Sequence, residues 1–480
     1  MWFVSQFEFS AARSTNSVVI RKIDAPEFQT ETTPDCGSPC VRAQNACQSA
    51  DDFREGARDL TAPYDILIAG GGFAGLILAR ALSASLHGEL RVAVIERQAL
   101  PSATSGSARP DGRAIALSAA SVRLLTAIGV WPDIVKHAQA IADIDITDTT
   151  LDATVRLPVL SYHNRLDGDE AASWVIETVY LRNALLAAVR VSPGVDLLDG
   201  SGIAAFTADA SCARVTLAND AELTGALLVA ADGRLSSIRD KAGIKSVGWR
   251  HDQAGIITTV AHERPHAGRA TQHFLPAGPF AILPLTGTSG AFPEGGRSCV
   301  TWSENAEHGA ALMGLDDAAF LAELGRRFGT ELGSLALDGP RSSYPLDTHL
   351  ARSYVAQRLA LIGDAAHTVH PIAGQGLNLA LRDIAALTEV VADAARLGLD
   401  IGAGEPLERY ERWRRFDSTL SAAAMDGLNR LFSNDWVLAR TLRDAGAGVI
   451  DRLPGLKTRL VQQAAGVAGD VPKLLQGRLA

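Results

Sequence analysis

Apolar and polar positions recur with two different periods beyond residue 60, and they predict strands and helices in alternation. An apolar run at residues 64–69 predicts a buried strand, and the alanine- and leucine-rich residues 73–85 predict a helix. A further apolar run at 91–96 predicts a second strand. The same pattern returns later in the chain, with a helix at 179–189 and strands at 226–231 and 358–362.

Segments rich in strand-forming residues lie between these strand–helix units. Their alternation and turn residues predict strands at 254–260, 271–275, 280–285 and 299–303. This interleaving predicts an α/β fold in which a doubly wound, Rossmann-like domain is interrupted by a β-sheet-rich domain. We assign the first domain to residues 61–140, 177–245 and 345–395, the second to 141–176 and 246–344, and a helical C-terminal region to 396–480.

The composition is that of a globular protein, and it limits the classes of function. A hydrophobic content of 47% and a charged content of 21% fit a chain with a sizeable core. The net charge of −9 argues against nucleic-acid binding, which requires a basic face. No apolar run reaches the roughly 18 residues that a membrane-spanning helix needs, so we predict none.

Residues 1–60 differ from the rest because they lack a sustained hydrophobic period, and we predict a disordered extension there. Three of the five cysteines, Cys36, Cys40 and Cys47, fall in this segment. Their spacing matches no zinc motif, so no metal site is expected. Cysteines that are sparse and odd in number favour a reducing compartment.

The first strand–turn–helix unit carries a glycine motif that is typical of dinucleotide binding. In its G-x-G-x-x-G pattern, Gly70 permits the turn, Gly72 lets a pyrophosphate approach, and Gly75 allows the helix to pack closely on the strand. Glu96 ends the next predicted strand, where its carboxylate can accept hydrogen bonds from ribose hydroxyls. The motif alone does not distinguish FAD from NAD.

Two later strand ends carry similar chemistry. An apolar run ends at Gly363-Asp364, and Gly374 and Gly376 precede a helix that begins near Leu377. A carboxylate at a strand end can bond sugar or ribityl hydroxyls, while bare N–H groups at a helix start can meet an electron-rich ligand. Asp232-Gly233 also ends a strand, although an ordinary turn followed by a capped helix explains that segment equally well.

Together these motifs resemble those of the single-component flavin-dependent aromatic hydroxylases. Their order is Gly-x-Gly-x-x-Gly, then Asp-Gly-x-x-Ser-x-x-Arg at 232–239, then Gly-Asp-Ala-Ala-His at 363–367 with His-Pro and Gly-Gln-Gly-x-Asn after it. Within that superfamily, residues 111–118, 278–285 and 370–378 resemble the ubiquinone-biosynthesis hydroxylases, which act on polyprenyl phenols. The resemblance covers roughly residues 63–480.

The resemblance implies that the protein binds FAD and uses NAD(P)H as a transient co-substrate. It assigns Gly70, Gly72 and Gly75 to the FAD pyrophosphate and Glu96 to the adenosine ribose. Arg113 would reach the phosphate and ribityl region of FAD. The segment at Asp232 and Gly233 would lie near both FAD and the nicotinamide cofactor.

At the flavin end, the resemblance implies that Asp364 bonds the ribityl chain. The positions implied to contact the flavin are Gly374, Gly376, Leu377 and Asn378, and the candidate catalytic residues are Pro371, His370 and His367. Either histidine could relay a phenol proton or could orient the loop by hydrogen bonds, and the sequence leaves both roles open. Ala380 stands where the family usually has glycine, and we expect FAD binding to survive this change.

These assignments predict an FAD-dependent monooxygenase that hydroxylates a polyprenylated phenol in ubiquinone biosynthesis. Two alternatives stay open: a hydroxylase of a small soluble aromatic compound, and a non-catalytic flavin-binding subunit of a biosynthetic complex. A carboxylated small substrate would ordinarily need a buried arginine, and none can be singled out from the sequence.

The implied substrate also bears on location. We expect a cytoplasmic protein that can lie on the inner face of a membrane and join a quinone-biosynthesis complex. Trp413 and the arginines around it predict a helix with a cationic face, either solvated or in contact with lipid. The arginines of this face are Arg409, Arg412, Arg414 and Arg415.

Overall fold

The computed structural model describes residues 62–101, 111–151, 156–370, 374–432 and 454–480. The predicted disorder of residues 1–60, their cysteines and the candidate catalytic Pro371 lie outside the described residues. The strands are β1 (Tyr64–Ala69), β2 (Val92–Glu96), β3 (Ala114–Ser118), β4 (Ala138–Ala140), β5 (Asp143–Asp148), β6 (Leu160–His163), β7 (Ser173–Glu177), β8 (Val195–Asp199), β9 (Ile203–Ala208), β10 (Ala213–Leu217), β11 (Glu222–Ala230), β12 (Ser246–His262), β13 (Arg269–Leu275), β14 (Gly278–Pro284), β15 (Arg297–Asn305), β16 (Leu335–Leu337), β17 (Ser342–Ala351), β18 (Val355–Ala356), β19 (Leu359–Leu361) and β20 (His367–Thr368).

Helices alternate with these strands and extend the C-terminal region. The α-helices are α1 (Phe73–Ser85), α2 (Ala119–Ala127), α3 (Trp131–Ile134), α4 (Thr178–Arg190), α5 (Ser237–Lys241), α6 (Ala306–Met313), α7 (Asp317–Phe328), α8 (Gln375–Arg396), α9 (Gly404–Phe432) and α10 (Pro454–Ala464). Short 3₁₀ turns lie at Val135–His137, Gly363–Ala365 and Lys473–Gln476.

The first sheet is the doubly wound core that the sequence predicts. Its strand order is β18-β19-β11-β1-β2-β8, and β19, β11, β1, β2 and β8 run parallel. The hairpin β9–β10 is joined to β11. Strands of this kind are covered on both faces, which explains why β1 is apolar and buried throughout residues 66–69, with Asp65 near its start. The bounds of β1 and α1 agree with the prediction, whereas β11 begins four residues earlier than expected, at Glu222.

The second sheet forms the β-rich part of the fold, with the order β20-β17-β12-β15-β14-β13-β5-β6 and β16 beside β12. The predicted strand at 254–260 lies in the C-terminal half of the longer β12, and the one at 299–303 is the central part of β15. One face of β14 packs Phe280 and Ile282 into a core with α7. The opposite face directs Leu283 toward a separate apolar cluster, because successive side chains on a strand alternate.

The third sheet has the order β3-β7-β4 and faces that second cluster. Ala114 of β3 and Val175 of β7 pack there with Ile257 and Cys299 of the second sheet. The predicted domain boundaries stay a prediction, because sheet membership alone does not define them. The third sheet nevertheless joins the β-rich part to the elements that carry the glycine motifs.

The described part of the C-terminal region is helical, as predicted. Helix α9 packs on α8, but its arginines do not form one cationic face. Arg414 is buried and turned toward α8, and Arg409 pairs with Asp393 of α8 at 2.8 Å, so the predicted face is wrong in this respect. In the described ranges, no helix combines the length and apolar character that crossing a bilayer requires.

Candidate functional site

The three glycines of the first motif have three different environments. Gly70 has a φ of +113°, and a Cβ atom there would lie 2.4 Å from the Ala231 carbonyl oxygen. A Cβ atom at Gly75 would lie 1.9 Å from the Gly70 carbonyl oxygen, whereas one at Gly72 would meet nothing within 4 Å. Gly70 and Gly75 therefore close the turn on the sheet, and Gly72 leaves open space at the start of α1.

The carboxylate of Glu96 is drawn onto the same turn. Its Oε2 accepts a hydrogen bond from the N–H of Gly71 at 2.7 Å, and its Oε1 accepts one from the N–H of Gln98 at 3.0 Å. These bonds place the acid at the carboxyl end of β2, beside the glycine turn. This is the location at which a Rossmann acid bonds ribose hydroxyls.

Asp232 brings the second motif to the first turn. Its Cα atom would lie 3.1 Å from a Cβ atom on Gly70. Its Oδ2 accepts hydrogen bonds from the N–H groups of Ser237 and Ile238 at the start of α5, at 2.9 and 3.3 Å. Its Oδ1 is buried and lacks a hydrogen-bond partner, which in a native protein calls for a further ligand or a water molecule.

The turn at Gly363-Asp364 meets both α1 and α8. Gly363 has a φ of +56°, and a Cβ atom there would lie 3.2 Å from the Ala380 Cβ and 3.5 Å from the Ala74 Cβ. Ala380, the departure from the family pattern, therefore packs against this turn. The side chain of Asp364 reaches solvent on one side, but the protein around it desolvates the carboxyl group. Desolvation raises the pKa of Asp364 and outweighs the charges of His367 and Arg234, which lower it.

Helix α8 begins at two glycines, Gly374 and Gly376, which carry no side chain. Its N-cap residue Gly374 is left-handed, with a φ of +62°, and provides no side-chain cap. A Cβ atom there would lie 3.1 Å from the Ala116 Cβ, whereas a Cβ atom on Gly376 would meet nothing within 4 Å. The first turns of α1 and α8 contain no acidic residue, so both positive helix ends suit an electron-rich ligand.

The side chain of Asn378 holds this helix start against β3 and α2. Its Oδ1 accepts hydrogen bonds from the Ser118 N–H and the Ser121 hydroxyl, at 2.9 and 2.7 Å. Its Nδ2 donates to the carbonyl oxygens of Ala116 and Gly374, at 2.9 and 3.2 Å. The adjacent Leu377 is half-buried against the main core.

The two candidate catalytic histidines have contrasting environments. His367 is buried, and its Nε2 lies 2.6 Å from Oδ2 of Asp383. His370 is also buried, but neither of its ring nitrogens has a hydrogen-bond partner, and its ring meets that of His251 edge-on at 5.2 Å. Burial, aided by the charge of His251, lowers the pKa of His370 to about 3, so this ring is a poor base near neutral pH.

Arg113, which the family resemblance assigns to the phosphate and ribityl region of FAD, is paired with a neighbouring acid. Its Nε and Nη2 both donate to Oδ2 of Asp111, at 2.8 and 2.5 Å. Burial raises the pKa of Asp111, but hydrogen bonds from Arg113 and Thr178 outweigh this effect and lower it. Across the described ranges, no group of three histidine, cysteine or carboxylate side chains is arranged to hold a metal ion.

The separate apolar cluster between the second and third sheets begins close to the α8 helix start. Ala114 belongs to this cluster, and Ala116, two residues further on the same face of β3, packs against Gly374. Leu283 and Tyr344 contribute from the second sheet, and burial raises the pKa of Tyr344 to about 12. A cluster of buried apolar side chains therefore adjoins the predicted flavin end of the site.

The residues present fit FAD by four independent features. Gly72 and Gly376 leave open space at two helix starts, Asp364 faces solvent at a strand end, and Asp232 retains an unpaired buried oxygen. Residues 63–415 also match the model of the family described as FAD binding domain. The chain belongs to this family. Membership confirms the predicted superfamily and its FAD cofactor.

Two relatives show which members of this FAD-binding family the chain resembles. The chain is 38% identical to the ubiquinone hydroxylase UbiL of Rhodospirillum rubrum, over 86% of this chain and 92% of the relative. It is 32% identical to the 3-demethoxyubiquinol 3-hydroxylase of Escherichia coli, over 84% and 99% of the two chains. The predicted resemblance to the ubiquinone-biosynthesis hydroxylases is thereby confirmed.

A solved structure supports the fold. The p-nitrophenol 4-monooxygenase PnpA of Pseudomonas putida superposes with a TM-score of 0.67 at 19% identity, covering 85% of this chain and 99% of that chain. At this level of identity, the likeness bears on the fold alone. The predicted α/β architecture is confirmed.

Asp383 and Arg414 lie behind the Gly363-Asp364 turn, although Asp383 is not predicted as a site residue and Arg414 is predicted only on a cationic helix face. Arg414 Nε donates to Asp383 Oδ1 at 2.8 Å. A signal was present in the sequence, because Asp383 falls on the apolar face of α8 beside Leu379 and Ile384. An acid at such a position requires a buried partner.

Proposed function

We propose that this protein is an FAD-dependent monooxygenase that uses NAD(P)H and dioxygen to hydroxylate the ring of a polyprenylated phenol in ubiquinone biosynthesis. The observation that carries the proposal is the 38% identity, over most of both chains, to a ubiquinone hydroxylase. The 3-demethoxyubiquinol 3-hydroxylase of Escherichia coli, similar along nearly its whole length, points to the same reaction class.

In this proposal the glycine turns hold FAD along the carboxyl edge of the first sheet. Gly70, Gly72 and Gly75 would accommodate the pyrophosphate, and Glu96 would bond the adenosine ribose. Asp364 would bond the ribityl hydroxyls, and the N–H groups at the start of α8 would face the flavin ring. Bound FAD supplies the redox chemistry, by accepting electrons from NAD(P)H and activating dioxygen.

The apolar cluster beside β3 suits a prenylated substrate. Leu283 and Ala281 share one face of β14, turned away from the core that holds Phe280 and Ile282. Gln272 pairs with Ala281 in the sheet, and its buried Nε2 has no hydrogen-bond partner. Apolar walls with a few polar groups are typical of sites for apolar aromatic ligands.

The buried arginines argue against a carboxylated substrate. Arg327 pairs with Glu304 at 3.1 Å, and Arg358 pairs with Asp400 at 2.5 Å. Each buried arginine among the described residues is bonded to an acid or to a backbone carbonyl, and these are Arg156, Arg239, Arg327, Arg358 and Arg414. A neutral phenol needs no such cation, so the small-acid alternative is less well supported.

We extend the proposal to peripheral membrane contact through α9. Phe416 and Leu420 are 75% and 57% exposed, and their spacing of four residues places them on one side of the helix. Arg412 and Arg415 flank them and are exposed. Exposed apolar residues bordered by arginines suit the surface of an anionic membrane, where a polyprenyl substrate would be dissolved. Association with a quinone-biosynthesis complex stays a prediction.

Co-sedimentation with lipid vesicles tests the membrane contact. We expect the wild type to sediment with anionic vesicles and the double variant Phe416→Ser, Leu420→Ser to lose most of this binding. Leu397→Ser is the matched control, because Leu397 is 73% exposed at the end of α8. Equal binding by the double variant and the control would contradict the contact.

The biosynthetic role is tested by deleting the gene in its host and identifying the accumulated quinone precursors by mass spectrometry. We expect a precursor that lacks one ring hydroxyl, and restoration of ubiquinone by the wild-type gene. An Asp364→Ala gene should fail to restore it, because in this proposal the role depends on bound FAD. Unchanged ubiquinone after deletion would contradict the proposed function.

A further inference from the structure

A buried carboxylate joins three parts of the chain directly behind the predicted ribityl-binding turn. Asp383 of α8 is 0% exposed. Its Oδ2 accepts hydrogen bonds from the Gly363 N–H at 2.9 Å and from His367 Nε2 at 2.6 Å. Its Oδ1 accepts one from Arg414 Nε at 2.8 Å. Asp383 therefore holds both ends of the segment 363–367, which contains Asp364.

Arg414 connects this carboxylate to α9. Its Nη1 lies 2.6 Å from Oδ2 of Asp417, and Asp417 also pairs with Arg382 of α8 at 3.1 Å. Arg414 is itself only 4% exposed. The buried group thus extends from the segment 363–367 through α8 to α9, with alternating charges along its length.

An ion pair that joins two helices does not need to be fully buried. Asp393 and Arg409 link the same two helices at 2.8 Å with both side chains partly exposed. A fully buried ion pair carries a large desolvation cost and is a weak source of stability. Because Asp383 also binds the Gly363 N–H and His367, its burial is better explained by what it fixes than by helix pairing.

The charges of the group are mutually supporting. Burial raises the pKa of the Asp383 carboxyl, but the nearby His367 and Arg414 outweigh this effect and lower it. The two carboxylates beside Arg414, those of Asp383 and Asp417, raise the pKa of its guanidinium despite burial. Asp383 is therefore ionised at neutral pH and accepts strong, charge-assisted hydrogen bonds.

We propose that Asp383 and Arg414 are positioning residues that fix the Gly363-Asp364 turn, and with it the carboxylate that would bond the ribityl chain. The inference rests on the proposed function, in which Asp364 contacts FAD. Gly363 adopts a positive φ, and its buried N–H donates to Asp383, so loss of this carboxylate would leave the N–H at the turn without its partner. In this arrangement, His367 orients the turn through Asp383 and is not a proton relay to the substrate.

The substitution Asp383→Asn tests the inference because it keeps the shape of the side chain and removes its charge. We expect the FAD dissociation constant to rise at least tenfold and the absorption bands of any bound flavin to shift. Arg414→Lys should show the same effects more weakly, since lysine keeps the charge but not the fork of donors. Asp393→Asn is the matched control on the same helix and should bind FAD like the wild type.

A second measurement does not need bound FAD, and it tests the inference even if a variant binds FAD too weakly for a spectrum. Hydrogen exchange of the Gly363 amide in the FAD-free chain should accelerate in Asp383→Asn and not in Asp393→Asn. If Asp383→Asn binds FAD with wild-type affinity and spectrum, or leaves Gly363 protected, the positioning role is overturned while the proposed function stands. If the wild type itself cannot be loaded with FAD, the proposed function fails, and the inference fails with it.

Discussion

The backbone N–H of Ser118 donates a 2.9 Å hydrogen bond to Oδ1 of Asn378, a residue 260 positions away in the sequence. The same carboxamide also binds the Ser121 hydroxyl and the Ala116 carbonyl oxygen. Two segments that resemble family motifs are thereby one structural unit. Asn378 positions the start of α8 through its side chain, while its backbone remains the candidate contact for the flavin.

Removing this carboxamide should destabilise the fold. In Asn378→Ala, a buried donor on Ser118 and a partly buried acceptor on Ala116 lose their partner, and we expect a loss of about 2–3 kcal/mol in the free energy of unfolding. Urea unfolding of the FAD-free protein measures it. Asn219→Ala, at an exposed turn, is the control and should change stability by less than about 0.5 kcal/mol. Equal losses in both variants would argue against the structural role of Asn378.

Substitutions at two glycines of the first motif should affect different properties, one the stability of the fold and the other the affinity for FAD. Gly75→Ala would place a methyl group 1.9 Å from the Gly70 carbonyl oxygen, so we expect unfolding or severe destabilisation. Gly72→Ala meets no atom within 4 Å and should leave the FAD-free protein stable. Its FAD affinity should nevertheless fall at least about tenfold, or 1.4 kcal/mol, because the methyl would occupy the approach to the pyrophosphate.

Flavin fluorescence titration and urea unfolding together check this pair of variants. Gly325→Ala provides the control, since a Cβ atom there also meets nothing within 4 Å but lies in α7, away from the turn. Unimpaired FAD binding by Gly72→Ala would show that the pyrophosphate does not pass over Gly72.

The strand ends at Gly70, Asp232 and Asp364 could be predicted because their signals are local: an apolar run, then a glycine, with an acid beside it at the last two, then a helix. The contacts of Asp383 with Arg414 could not, because they depend on how α8 and α9 pack. Periodicity also placed strands within β12 and β15 but not their full lengths, since their outer residues leave the apolar core and lose the pattern.

Neighbouring residues on β14 should behave differently when they are changed. Ala281→Phe projects into the apolar cluster, so we expect the KM for a prenylated phenol to rise about tenfold with FAD affinity unchanged. Ile282→Ala faces the core with α7 and should lower stability by about 2–4 kcal/mol without that selective effect on KM. Steady-state kinetics and urea unfolding distinguish them. An unchanged KM in Ala281→Phe would exclude this face from the substrate site.

Buried histidines should make the protein sensitive to mild acid. Burial, aided by the charge of Arg156, lowers the pKa of His273 to about 4. The unfolded chain, with an ordinary histidine pKa near about 6.5, binds more protons between these values, so stability falls as pH drops through this window. Between pH values of about 7.5 and 5.5, His273→Gln should lose roughly 1 kcal/mol less than the wild type.

Urea midpoints at the two pH values measure this difference, provided the unfolding slope is unchanged. His163→Gln is the control, because the side chain of His163 is 90% exposed and pairs with Asp143 only at the surface. A wild type and a His273→Gln variant with the same pH dependence would refute the assignment of a neutral His273 to the folded state.

Turnover in vitro tests the proposed monooxygenase activity on the purified protein. The FAD-loaded protein is incubated with NAD(P)H, a prenylated phenol in vesicles and isotopically labelled dioxygen, and the quinone precursors are analysed by mass spectrometry. We expect a product with one added ring hydroxyl that carries the label, and no such product when FAD or NAD(P)H is omitted. Oxidation of NAD(P)H without any labelled product from the prenylated phenols would contradict the proposed activity.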